Sequence, residues 1–177
     1  MKALVPCPHH AVTRSKSKFI EAWGTLGSSW GVPRTMAQIH ALLLVSAGAL
    51  STEEVMESLQ ISRGNANMNL RNLMDWGLVE KELHVGERRE YFKAPKDAQY
   101  IARQVAVQRK KRELEPMLRV LQELQGVEGA DADTSQFRGQ IGDIYDFALQ
   151  SERMLNLFIS SQQNWFMKAL MKLTGKK

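Results

Sequence analysis

Between Ser62 and Asn72 the chain carries Arg63, Gly64, Asn65, Met68, Asn69, Arg71 and Asn72. These residue types suit recognition of nucleic acid. A guanidinium forms paired hydrogen bonds to guanine or a salt link to phosphate, and a carboxamide offers a donor and an acceptor side by side. Gly64, near a helix N-terminus, permits close backbone approach where free amides attract phosphate. Met68 fits against a thymine methyl. Further along, Gly86-Glu87-Arg88-Arg89 reads as a hairpin tip. Arg88 and Arg89 there would reach phosphates or an adjacent minor groove.

Such groups act together only if local structure aligns them. Phe19, Ile20, Trp23 and Leu26 recur at helical spacing, which predicts a helix from near Ser15 to Gly27. Gly31-Val32-Pro33 breaks it. Arg34–Ala47 is nearly all apolar and reads as a buried helix, ended by Gly48 in the left-handed conformation. Ser51-Thr52-Glu53-Glu54 is a capping box opening a short helix that buries Val55, Met56 and Leu59. Ser62 caps a third helix running to Trp76-Gly77. Its inner stripe is Ala66, Leu70 and Leu73, and its outer side carries the polar residues, including Asn65, Asn69 and Asn72 as three outward carboxamides. Asn and Gly are poor helix formers, so that outer face costs stability and suggests a contact role. After Gly77 the period falls to two. Leu78, Val79, Leu83 and Val85 read as one strand and Glu90–Lys93 as its return.

A buried helix, a capped short helix, a turn, an amphipathic helix and a hairpin make a winged helix-turn-helix, whose third helix fits the DNA major groove. The rest of the chain reads as helical. One helix spans about Asp97–Gln125 with a kink or restart at Pro116, a polar acidic loop covers Gly126–Ser135, and a last helix covers Phe137–Leu173. In the last, Ile141, Ile144, Tyr145, Ala148, Leu155 and Phe158 form an apolar stripe that continues through Trp165 and Leu173. It exceeds what one winged domain covers. It is expected to pack on Leu114, Leu118, Leu121 and Leu124 and on a second subunit. The expected organisation is a flexible segment at 1–14, a winged helix-turn-helix domain at 15–95 and a helical dimerisation region at 96–177. The fold class is mainly α with a small β-hairpin. A homodimer would address a pseudo-palindromic double-stranded operator.

Composition bounds the alternatives. The 177 residues carry a net charge of +5, which favours an anionic partner, yet six Lys and Arg against five Asp and Glu leave residues 62–93 nearly balanced. Particular residues must therefore carry any nucleic-acid reading. No apolar run is long enough for a bilayer span, and the N-terminal residues lack a signal-peptide core. The single Cys7 rules out an intramolecular disulfide framework and suits a reducing compartment, so a cytoplasmic location is expected. Cys7, His9 and His10 have no fourth partner for a structural zinc site, and neither a metal nor a cofactor is expected. No phosphate-cradling loop or nucleophile elbow is present, which argues against an enzyme.

Lys168, Lys172 and Lys176 read as cations at a helix C-terminus rather than a membrane contact, and Arg109-Lys110-Lys111-Arg112 as a solvated face. Trp23 and Trp30 stand seven apart and, with Tyr100, are candidates for boxing a quaternary ammonium effector, although core packing is the stronger reading. The competing function is a non-catalytic helical adaptor that uses the winged helix for protein contact.

The stretch from Phe19 to Pro95 resembles the MarR-type winged-helix regulators, most closely their GbsR-type branch. The residues that carry the resemblance are Ala22-Trp23-Gly24, Gly31-Val32-Pro33-Arg34 and Gln38–Leu43, then Leu50–Glu54, Leu59–Asn65 and Trp76–Val79. The resemblance implies a homodimeric transcriptional regulator with terminal helices at the dimer interface. The function expected on this reading is that of a repressor that occludes a promoter and is relieved by a small-molecule effector.

Overall fold

The structure is a computed structural model that describes residues 8–84 and 86–160, with side chains described from Val12 onward. Val85 and the segment from Ser161 on, including Trp165 and the three-lysine stripe, lie outside the described residues, as do Cys7 and the side chains of His9 and His10. The chain divides into two compact units, Met1–Asp97 and Ala98–Lys177.

The first unit holds α1 (Pro8–Ser29), α2 (Arg34–Val45), β1 (Leu50–Ser51), α3 (Thr52–Leu59), α4 (Arg63–Asp75), β2 (Glu80–Leu83) and β3 (Glu90–Lys93). α1 begins at Pro8, well before Ser15, because proline is tolerated in a first helical turn. α2 buries Met36, Ile39, His40 and Leu43. It ends at Val45 with Ser46 in an extended conformation, so Gly48 is not its terminator and has no positive φ. α1 lies close on α2. A Cβ on Gly27 would stand 2.5 Å from the buried Cβ of Ala37, which cannot swing aside. Gly27→Ala is therefore expected to destabilise the unit by about 1–3 kcal/mol despite its better helix propensity, read as a lowered urea midpoint.

The capping box forms as its residues require. The Ser51 N–H donates to Glu54 Oε2 at 2.7 Å, and the Glu54 N–H donates to Ser51 Oγ at 3.3 Å. Gln60, at φ 53°, makes the left-handed turn that ends α3 and swings the chain into α4. α4 then packs on α2 and α3. Ala66, Leu70 and Leu73 face inward as the period dictates.

Leu78 and Val79 are buried but precede β2, and Leu83 faces solvent, so the first wing strand is shorter than its apolar residues suggest. Leu50 pairs with Phe92 and Ser51 with Tyr91, which adds β1 to the wing as a third strand in the order β1-β3-β2. This pairing ties the wing to the start of α3. Lys81–Glu90 and Lys93–Glu82 ion pairs staple the hairpin, and the His84 and Tyr91 rings stack at 4.1 Å.

The second unit contains α5 (Ala98–Arg109), a π-helical turn (Lys110–Leu114), α6 (Glu115–Gln125) and α7 (Ala132–Ser160). Pro116 sits in the first turn of α6, where its missing N–H is harmless. The wider turn just before it accommodates the ring that would clash with a carbonyl in a regular α-helix. The Arg109–Arg112 run is not simply solvated. Arg109 pairs with Glu113, and Lys110 reaches Glu152 at 3.1 Å. α7 starts at Ala132, within the expected loop, where Asp131 accepts from the Thr134 N–H at 2.8 Å. Leu121 and Ala148 are buried between α6 and α7, while Phe147 and Met154 remain 70% and 72% exposed. No helix among the described residues is long and apolar enough to cross a membrane.

Candidate nucleic-acid interface

α4 owes its start to Ser62, whose Oγ accepts from the Asn65 N–H at 3.3 Å. From there Gly64, Met68, Arg71 and Asp75 succeed one another along the solvent side. Met68 is 58% exposed, a conspicuous position for a large apolar side chain. Nothing lies within 4 Å of where a Gly64 Cβ would stand. The fold thus has no steric need for glycine there, although it gives up about 0.5–1 kcal/mol of helix stability relative to alanine.

The three asparagines do not share one face. Asn65 and Asn72 are half-buried at the edges of the exposed strip. Asn69 is 2% exposed and belongs to the core side, beside Leu70, which corrects its expected outward position. At three and four residues from Ala66 and Leu73 it falls on the inner stripe, and its side chain bonds back to Asn65 instead of reaching solvent. Asn67, which sequence reasoning passed over, is half-buried beside Met68, one turn from Gly64 and Arg71.

The cations have different surroundings. Arg63 donates to Glu53 Oε1 at 2.8 Å, so one of the expected contact residues is held by a carboxylate from α3. The Glu53 backbone N–H and then Arg63 hold the Glu53 carboxyl below the usual range. Glu54 is lowered too, first by the Ser51 N–H. Arg89 contributes to lowering both, so its positive charge sits near the start of α3. Glu53 carried no local sequence signal, being ten residues from its partner. Arg71 on α4 and Arg88 and Arg89 at the hairpin tip thus present exposed guanidiniums with no ion-pair partner among the described residues.

The proposed effector aromatics are not brought together within the first unit. Trp23 lies against Phe19 at 5.4 Å and His40 at 6.3 Å, whereas Trp30 is 53% exposed just after α1. Tyr100 belongs to the second unit.

A trihelical core, a capped exposed helix and a three-stranded wing define a winged helix-turn-helix protein. Residues 30–90 match the model of the MarR family, and this segment is MarR-like. A crystal structure of a transcriptional regulator is similar at a TM-score of 0.63 and 20% identity, over 92% of this chain and 99% of that one. At that identity the likeness is one of fold. No curated protein matches the chain.

Proposed function

We propose that the protein is a sequence-specific DNA-binding transcriptional regulator, a homodimeric repressor of the GbsR-type branch of MarR-like regulators. In this reading α4 enters the major groove and the wing contacts the flanking backbone. The observation that carries it is the outward face of α4, where Gly64, Met68 and Arg71 stand exposed with no packing benefit in return. Ser62, Arg63, Asn65 and Asn72 border that face, and Arg88 and Arg89 supply the wing contacts. The exposed Phe147, Met154 and Leu157 on α7 support a second copy as the partner of the helical unit. Two reading helices would then address half-sites about one DNA turn apart. Repression would follow from promoter occlusion, relieved when an effector changes the separation of the reading helices.

The contacts divide by chemistry. Arg88→Ala is expected to weaken binding to every duplex alike and to lower the log–log salt slope by about 1, the mark of a lost phosphate contact. Arg71→Ala is expected to cost about 1–3 kcal/mol on the preferred site and to relax selection at one base position. Fluorescence anisotropy on preferred and scrambled duplexes reads both. Equal losses on the two duplexes for Arg71→Ala would remove it from the base-reading set.

A further inference from the structure

Asn69 is a polar side chain where the helix period calls for an apolar one. It is 2% exposed, in line with Ala66, Leu70 and Leu73. Its Nδ2 stands 2.9 Å from the Asn65 backbone carbonyl and 2.6 Å from Asn65 Oδ1. Elementary chemistry fixes both carboxamides. A carbonyl only accepts, so the Asn69 atom facing it is the nitrogen. That nitrogen only donates, so the Asn65 atom facing it is the oxygen. Asn69 Oδ1 is left buried with no hydrogen-bond partner among the described residues. A buried unsatisfied acceptor destabilises a fold, and leucine or methionine would avoid it.

We propose that Asn69 is a positioning residue that holds the Asn65 carboxamide with its oxygen inward and its N–H bonds outward, making Asn65 a reader of base acceptors. The inference rests on the DNA-binding reading and deepens it. An unconstrained asparagine matches adenine by donating to N7 and accepting from N6. With its oxygen turned inward onto Asn69, Asn65 presents its N–H donors to the groove. Guanine N7 and O6 or thymine O4 satisfy them, whereas cytosine presents a donor on its major-groove edge and is rejected.

Selection of bound sequences from a random duplex library tests this with the full-length protein. The wild type is expected to enrich one motif, with cytosine excluded at one position per half-site by about tenfold. Asn69→Ala frees the Asn65 carboxamide, so that discrimination falls to about twofold while other positions keep their preference. In an Asn65→Ala background, Asn69→Ala changes nothing further in the motif. Asn65→Asp keeps an oxygen for Asn69 but turns an acceptor outward. Its position lies in the first turn of α4, where a carboxylate is tolerated, so it remains informative if Asn69→Ala does not fold. It is expected to reverse the preference towards cytosine. An unchanged motif in folded Asn69→Ala, or no shift towards cytosine in Asn65→Asp, overturns the positioning role and leaves DNA binding standing. Absence of any enriched motif with the wild type overturns the DNA-binding reading itself.

Discussion

Leu70→Ala is expected to destabilise the winged unit by about 2–5 kcal/mol, against less than about 0.5 kcal/mol for Met68→Ala on the same helix. Leu70 is 1% exposed and lies on the face of α4 that packs on α2 and α3. Truncating it removes apolar contacts and leaves a cavity lined by helices that cannot fully collapse. Met68 has much less buried surface to lose, since more than half of it faces solvent. Urea unfolding checks the pair: the Leu70→Ala midpoint should fall sharply with an unchanged m-value, while the Met68→Ala midpoint stays near the wild type. The reverse order would mean that α4 presents its other side to the core. DNA binding should show the opposite sensitivity, with Met68→Ala weakening it in a protein of normal stability.

Acid is expected to destabilise the same unit through His40. Its ring is 4% exposed, its Nε2 has no hydrogen-bond partner among the described residues, and burial pushes its pKa down to about 4. The unfolded chain binds the proton near pH 6.5, so the folded state holds fewer protons between these values. The contribution is fully present above pH 6.5 and is lost as the pH falls towards 4. It amounts to roughly 2 kcal/mol by pH 5 and roughly 3 kcal/mol by pH 4. His40→Phe keeps a ring beside Trp23 and removes the titration. Unfolding midpoints from pH 7.5 to 4.5 should fall more steeply for the wild type than for this variant. Parallel curves would mean that His40 does not stay neutral in the folded protein.

The local chemistry of the winged unit was largely legible in sequence. The capping box, the Ser62 cap and the Ala66, Leu70 and Leu73 stripe are each set by interactions within a helical turn or two. What was not legible depends on contacts distant in the chain. β1 is two residues long, too short for any periodicity, and exists because Phe92 and Tyr91 return beside it. Arg63 looked free because its partner Glu53 belongs to another helix. At Asn69 residue type and helix period point opposite ways, and the period decides, because Asn69 stands three residues from Ala66 and four from Leu73 on the inner stripe. In the second unit the last helix followed from apolar residues recurring at helical spacing. The π-helical turn at Lys110–Leu114 was not legible, and it carries Lys110, which pairs with Glu152 far away in the chain.

The central claim is that α4 and the wing bind DNA with base selectivity. The most direct measurement is an anisotropy titration of the purified protein against a labelled duplex from upstream of its own gene, at two salt concentrations, with a scrambled duplex alongside. Tight binding that prefers the upstream duplex and weakens steeply with salt is the predicted result. No binding to either duplex at low salt would contradict the claim and favour a protein partner for the winged unit.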